Sequence, residues 1–202
     1  MKIYIVRIKG LSPLLHHGSQ AVGMEEKSSK KKGGNALLGD PEEWKKTIYY
    51  SEENGVYMPA INLEGTFINA SKQFKIGRGT VKKYFESGVF IDGIELPFWE
   101  NGKHLMSYDD VNIDKRTVKN PTTKGRNCRY RAIFKNWESE FTMRVVADEY
   151  INSSMLKEIL EYGGLFIGVC DYRPRFGRFE VIKFEEVEAW CKNKMFNEDL
   201  NI

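Results

Sequence analysis

The chain has 202 residues, 41% hydrophobic, 13% aromatic and 29% charged, enough to bury one full core and too apolar for a disordered protein. No apolar run approaches the ~20 residues that a membrane-spanning helix needs, and Met1 to Lys9 lack the apolar core and cleavage site of a secretion signal, so a cytoplasmic protein without a membrane partner is expected. The net charge of +3 hides a segregation: Lys115, Arg116, Lys119, Lys124, Arg126, Arg129, Arg131 and Lys135 share a window without Asp or Glu, which carries +8 and leaves −5 for everything else, the pattern of a protein that meets an anionic partner.

Residues 3 to 9 alternate as a half-buried strand, with Tyr4, Val6 and Ile8 on one face and Arg7 and Lys9 on the other. Residues 18 to 40 are rich in Gly and Ser and contain Lys27, Lys30, Lys31 and Lys32, which predicts a flexible basic insertion. Residues 47 to 58 read as a hairpin with Asn54-Gly55 as its turn. A helix is expected next, entered at Pro59 and capped by Asn62, with Leu63, Phe67, Ala70, Ser71 and Phe74 at helical spacing and Gly77 at its end. Segments 88 to 98 and 104 to 118 read as strands punctuated by Gly93 and Asn101-Gly102, and 121 to 125 as a loop. Residues 129 to 134 and 140 to 147 read as a pair of strands, the second setting Phe141, Met143 and Val145 against Thr142 and Arg144. A second helix is expected from Asn152, with Met155, Leu156, Ile159 and Leu160 inward and Gly163-Gly164 as its stop. A last strand covers about 177 to 184, and residues 185 to 202 form an acidic, partly helical tail.

The order strand, helix, strands, helix, strand predicts an α+β protein with the βαββαβ arrangement of the ferredoxin-like, RRM-like fold, two helices lying on one face of an antiparallel sheet. Residues 1 to 184 then form one domain with insertions at about 18 to 40 and 98 to 135. Cys128, Cys170 and Cys191 are odd in number and have no metal-ligand spacing, so free thiols are expected, with no metal and no other cofactor.

Gly163, Gly164, Gly168 and Gly177 lie between the second helix and the last strand, with Arg173, Arg175 and Arg178 beside them. Glycine admits close backbone approach and Arg forks match phosphate oxygens, which suits a phosphate-contacting loop; the same glycines also suit a plain helix-to-strand crossover. The basic window interleaves its cations with Tyr130, Phe134 and Trp137, the mixture in which bases stack while Lys and Arg follow a backbone. Lys72, Lys75 and Arg78, with Lys82 and Lys83, form a second basic stretch beyond the first helix, where cations are favoured with or without nucleic acid.

Gly163 to Phe179 resembles the C-terminal glycine-rich loop of the RAMP superfamily, the repeat-associated proteins of CRISPR effector complexes. Tyr57-Met58-Pro59-Ala60-Ile61-Asn62-Leu63-Glu64-Gly65-Thr66-Phe67 resembles that superfamily's I-P-G-S-S-L-K-G-x-x-R segment entering the first helix. Leu11-Ser12-Pro13-Leu14-Leu15-His16-His17-Gly18 is similar to its S/T-P-L-x-x-G loop after the first strand. Glu64 stands where the family usually has Lys, Asn69 near its usual Arg, and Ala60 in place of a Gly, so contacts made by those residues in relatives are not carried over. The resemblance implies an RRM-like backbone subunit, with copies of itself or other CRISPR effector subunits as partners, or a stand-alone relative such as a phage-encoded one.

His16-His17 invites comparison with the histidine of RAMP guide-processing ribonucleases, and Asp40 falls in the region where target-cleaving relatives carry a metal-using Asp. Neighbouring histidines usually point apart, however, and Gly39-Asp40-Pro41-Glu42 reads as a helix start capped by Asp40. No P-loop, dinucleotide fingerprint, H-E-x-x-H or Ser/His/Asp arrangement is present. The leading expectation is a non-catalytic module that binds single-stranded nucleic acid, RNA before DNA. It would do so through Lys115, Arg116, Lys119, Lys124, Arg126, Arg129, Arg131, Arg173, Arg175, Arg178, Lys72, Lys75 and Arg78. A RAMP-type ribonuclease and an inhibitor that mimics a CRISPR backbone subunit are the alternatives.

Overall fold

The computed structural model describes residues 1–18, 43–107, 111–119 and 124–187. Most of the expected basic insertion, Asp40, the loop at 120–123, Cys191 and the tail beyond Val187 lie outside the described residues. The chain opens with β1 (Lys2–Gly10), whose alternation buries Tyr4, Val6 and Ile8. Next come β2 (Leu14–Leu15), the short helix α1 (Glu43–Thr47), and a hairpin of β3 (Tyr50–Ser51) and β4 (Gly55–Pro59) that turns at Asn54-Gly55 as predicted.

Helix α2 (Ala60–Ser71) starts directly after Pro59, ahead of Asn62, and no side chain caps it. It ends at Ser71 rather than Gly77, because the chain turns back as a small hairpin of β5 (Lys75–Ile76) and β6 (Gly79–Thr80). A helix that the spacing did not reveal, α3 (Lys82–Gly88), follows; Phe85 is its one large buried side chain, too little to set up a visible stripe. Then come β7 (Val89–Ile91), β8 (Glu95–Glu100), β9 (Lys103–His104), β10 (Asn112–Lys119), β11 (Arg126–Phe134) and β12 (Trp137–Val145). Helix α4 (Ser153–Tyr162) is capped by Asn152, whose side chain accepts from the Met155 N–H at 2.9 Å, and the final strand is β13 (Phe179–Val187).

Among the described residues the fold is mixed α/β with four α-helices, and every strand pairing is antiparallel. The main sheet runs β13-β1-β12-β8-β4-β3, with β7 also paired to β12 and β9 to β8. In β1 and β12, Val6 lies opposite Phe141 and Tyr4 opposite Met143, so these four side chains share one face. Both long helices cover that face. Phe67 of α2 packs on Phe141 and Phe179 at ring separations of 6.2 and 6.1 Å, and the Tyr4 hydroxyl reaches Ser153 of α4 at 2.7 Å. Burying a side chain such as Phe67 contributes about 1.5–3 kcal/mol.

Two expectations are corrected. Strands β11 and β12 are consecutive but do not pair: β12 sits between β1 and β8, whereas β11 joins β10 and β2 in a separate three-stranded sheet. The corner at Lys135-Asn136 separates them, held by Lys135 N–H donating to Glu100 Oε1 at 2.7 Å and Asn101 N–H donating to Asn136 O at 2.9 Å. Gly163-Gly164 does not stop α4 either. The helix widens into a π turn over Gly163–Ile167, in which Gly168 N–H donates to Gly163 O at 2.8 Å, and ends at Gly168.

Gly177 has φ +71°, and a Cβ there would run into the main chain of Val169. Gly102 has φ +75° with open space around the same position. Gly102→Ala is therefore expected to lose about 1–2 kcal/mol, the cost of the left-handed conformation alone, and Gly177→Ala about 2–4 kcal/mol once backbone overlap is added. Urea unfolding of the two variants measures the difference.

Candidate nucleic-acid interface

One face of α2 presents Ile61, Gly65 and Asn69, one turn apart, together with Asn62 to a cleft of about 260 Å³. His17 and Tyr49 border it from the loops after β2 and before β3, and Cys170, Asp171 and Arg173 border it from the glycine-rich loop. The three segments singled out in the sequence, 11–18, 57–67 and 163–179, thus converge on one concavity. Gly65 is the open point of its floor: nothing lies within 4 Å of where its Cβ would be, so the helix backbone is bare to an approaching ligand.

The glycine-rich loop is clasped to residues 11–15 by main-chain hydrogen bonds. Leu11 N–H donates to Arg178 O at 2.8 Å, Gly177 N–H to Pro13 O at 2.9 Å, and Asp171 N–H to Leu15 O at 3.2 Å. Arg178 N–H donates to Ser12 Oγ at 2.9 Å. On the other side, the Thr66 hydroxyl of α2 reaches Gly168 O at 2.8 Å and accepts from Arg173 Nη1 at 3.4 Å. Asn62, expected as a helix cap, instead donates its side-chain amide to Cys170 Sγ at 3.5 Å. Burial pushes the Cys170 thiol up to about 12, against the pull of Asn62, so it stays protonated near neutral pH. Burial also raises the Tyr49 phenol, which stays a neutral donor.

The basic window forms the β10–β11 hairpin, in which Arg116 faces Arg129 and Lys115 faces Tyr130. Lys115, Lys124 and Arg126 are exposed, and Arg129 is half-buried. Lys119 ends β10, opposite Arg126. Arg116 is a fork onto Asp114, with its Nε 2.6 Å from Oδ2, and its guanidinium lies 4.5 Å over the Phe176 ring. Arg131 is only 6% exposed; its Nε lies 2.8 Å from Asp171 Oδ2, an ion pair not aligned as a hydrogen bond. Arg116 and Arg131 therefore tie the hairpin to the glycine-rich loop. Sequence reasoning missed Asp114, one residue outside the acid-free window, and Asp171, forty residues beyond Arg131. Of the interleaved aromatics, Phe134 and Trp137 are completely buried in the core, and only Tyr130 remains beside the cations, 5.4 Å from Lys115 Nζ.

Arg173, Arg175 and Arg178 are exposed on the glycine-rich loop. Lys72, Lys75 and Arg78 are exposed past the far end of α2, where Lys72 Nζ donates to Asn69 Oδ1 at 2.6 Å and so adjoins the cleft. His16 and His17 do point apart: His17 is exposed at the cleft, whereas His16 is fully buried among the rings of Tyr49, Phe98 and Phe134 at 4.9, 5.6 and 4.7 Å. Its Nδ1 accepts from the Tyr49 N–H at 3.4 Å. No group of three or more His, Cys, Asp or Glu among the described residues is placed to hold a metal ion, and no described helix is long and apolar enough to cross a membrane.

No family model matches the sequence, and no curated protein matches it. Among solved structures, the fold is similar to that of a chain in the Type III-B Cmr-beta bound to cognate target RNA, with a TM-score of 0.51 and 16% identity. The match covers 93% of this chain and 61% of that one, so the present chain spans less than two thirds of its neighbour's length.

Burial lowers His16 to about 3. An unfolded histidine takes up its proton near 6.5, so between these values the unfolded state binds more protons and stability falls as pH drops from about 6.5 toward 3. The slope is at most about 1.4 kcal/mol per pH unit. Urea unfolding across that window is expected to show a shallower slope in His16→Leu than in the unsubstituted protein, and equal slopes would show that His16 is not buried in neutral form.

Proposed function

We propose that the chain binds the sugar-phosphate backbone of single-stranded nucleic acid, RNA before DNA, without cutting it. The path runs from the exposed cations of the β10–β11 hairpin past Arg173 into the cleft over Gly65. The observation that carries the reading is the convergence of three segments, distant in sequence, on one cleft floored by a glycine whose missing side chain serves no packing purpose. A helix-interior glycine costs about 1 kcal/mol relative to alanine, and close backbone approach by a ligand is a reason to keep it.

Two further observations support the reading. The succession β1, α2, β7, β12, α4, β13, with these strands in the order β13-β1-β12-β7, is read here as the βαββαβ core of a ferredoxin-like, RRM-like domain spanning residues 1 to 184. The structural neighbour belongs to a Cmr-beta assembly bound to target RNA, which favours RNA as ligand and a CRISPR-associated, RAMP-like role for this chain, with other effector subunits or copies of itself as partners. With about six exposed cations engaged, log K falls with log salt at a slope near −4. Lys115→Glu, Lys124→Glu and Arg126→Glu together are expected to abolish binding of single-stranded RNA at moderate salt. Gly65→Ala is expected to stabilise the fold by up to about 1 kcal/mol while weakening binding, a combination that a merely structural glycine cannot produce. Fluorescence anisotropy with single- and double-stranded RNA and DNA measures binding by both variants, and urea unfolding measures the stability of Gly65→Ala; unchanged affinity in the triple variant overturns the reading.

A second reading rests on His17, the histidine that does border the cleft: general acid-base cleavage of bound RNA. It predicts that end-labelled RNA is cut by the unsubstituted protein and not by His17→Ala. RNA left intact by both removes it.

A further inference from the structure

Beyond the cleft, the aromatic side chains at the end of α4 form a ladder with an open top. Phe74 meets the Tyr162 ring edge-on at 6.0 Å, Tyr162 meets Phe166 at 4.7 Å, and Phe166, in the π turn, is 63% exposed. A solvent-facing phenylalanine resting on a tyrosine has its lower side supported and its upper side bare. Exposing such a ring costs hydrophobic free energy unless something covers it. The chain next to Phe74 is cationic: it leads directly into the β5–β6 hairpin that carries Lys75 and Arg78, both exposed, and Lys72 links this end of α2 to Asn69 at the cleft. Of the acids on α4, Glu161 lies 3.8 Å from Lys157 Nζ, an i,i+4 pair, and Glu158 accepts from Ser154 Oγ at 3.2 Å.

We infer that Phe166, backed by Tyr162 and Phe74, is a stacking platform for an unpaired base of a strand leaving the cleft, with Lys75 and Arg78 meeting the flanking phosphates. The inference rests on the single-strand reading above and adds a base-contacting subsite to it. Every base offers a π face, so the platform supplies affinity without sequence preference. It also gives the second basic stretch, which adjoins the partly buried Phe74, a ligand to meet.

The test compares the full chain, Phe166→Ala and Phe166→Trp on two probes: an oligouridylate, and the same sugar-phosphate chain lacking its bases. Phe166 is exposed, so neither substitution disturbs the core. Phe166→Ala is expected to bind oligouridylate about 5- to 100-fold more weakly, the range for one base stacked on an aromatic ring, with the salt slope unchanged because no charge is lost. The introduced Trp is expected to be quenched by oligouridylate and not by the abasic chain. If the unsubstituted protein binds oligouridylate and Phe166→Ala binds it equally well, the platform is overturned while the cleft reading stands. If that same variant instead loses self-association in sedimentation, the ring is a protein contact and the platform is again overturned. If the unsubstituted protein binds neither probe, the single-strand reading itself falls and takes the platform with it.

Discussion

The clasp between residues 11–15 and 171–178 is the constraint on which the rest of the molecule depends. Four non-glycine residues among those described have positive φ, and two of them, Cys170 at 62° and Tyr172 at 60°, lie in this loop beside Gly168 and Gly177. Such backbone is unfavourable by about a kcal/mol or more at each non-glycine position. Hydrogen bonds to the Leu11–Leu15 segment from one side and to Thr66 from the other hold it in place, and the Trp137 indole N–H, donating to Ser12 O at 3.0 Å, anchors that segment to the sheet. Net, each such bond contributes only about 1 kcal/mol. Collectively they define the loop on their own, so the rim of the cleft is formed in advance, and the proposed binding would be opposed by little ordering entropy.

The same loop fixes the hairpin. Arg131 is buried beside the half-buried Asp171, and removing Asp171 is destabilising because the buried guanidinium is left without its partner. Arg116, forked on Asp114 and laid over Phe176, makes a second joint. Two of the eight cations in the acid-free window thus serve the architecture. Charge counted along a sequence overstates what a ligand meets, since it cannot register acids that arrive from elsewhere in the fold.

The sequence made the strand and helix order legible wherever burial follows a short period. Tyr4, Val6 and Ile8, the α4 stripe of Leu156, Ile159 and Leu160, and Phe141, Met143 and Val145 all face the core as their spacing implies. Legibility failed where a side chain's role is decided by a distant partner. Trp137 and Phe134 look like stacking residues among cations, yet the corner at Lys135-Asn136 turns both into the core. Gly163-Gly164 looks like a helix stop, yet close packing on Phe67 and Phe179 lets the helix continue as a π turn. The cleft itself was half legible: the three segments that build it stand out in sequence, but Tyr49 and the apposition of Asn69 with Arg173 belong to the fold alone.

What the cleft offers a ligand follows from the protonation of its walls. Cys170, held near 12, and Tyr49, raised by burial, both keep their protons at neutral pH. The Asn62 and Asn69 amides each spend one N–H inside the protein, on Cys170 Sγ and Gly65 O, Arg173 adds a cation, and the Asp171 carboxylate pairs with Arg131. A general base must give up its proton near the working pH, and the thiol and the phenol do not. His17 at the rim is the remaining candidate base, and the thiol and phenol serve only as donors toward the acceptor oxygens of a phosphodiester. Under the proposed binding role such donors would hold a strand, and only contacts stronger in the transition state than in the ground state would accelerate its cleavage.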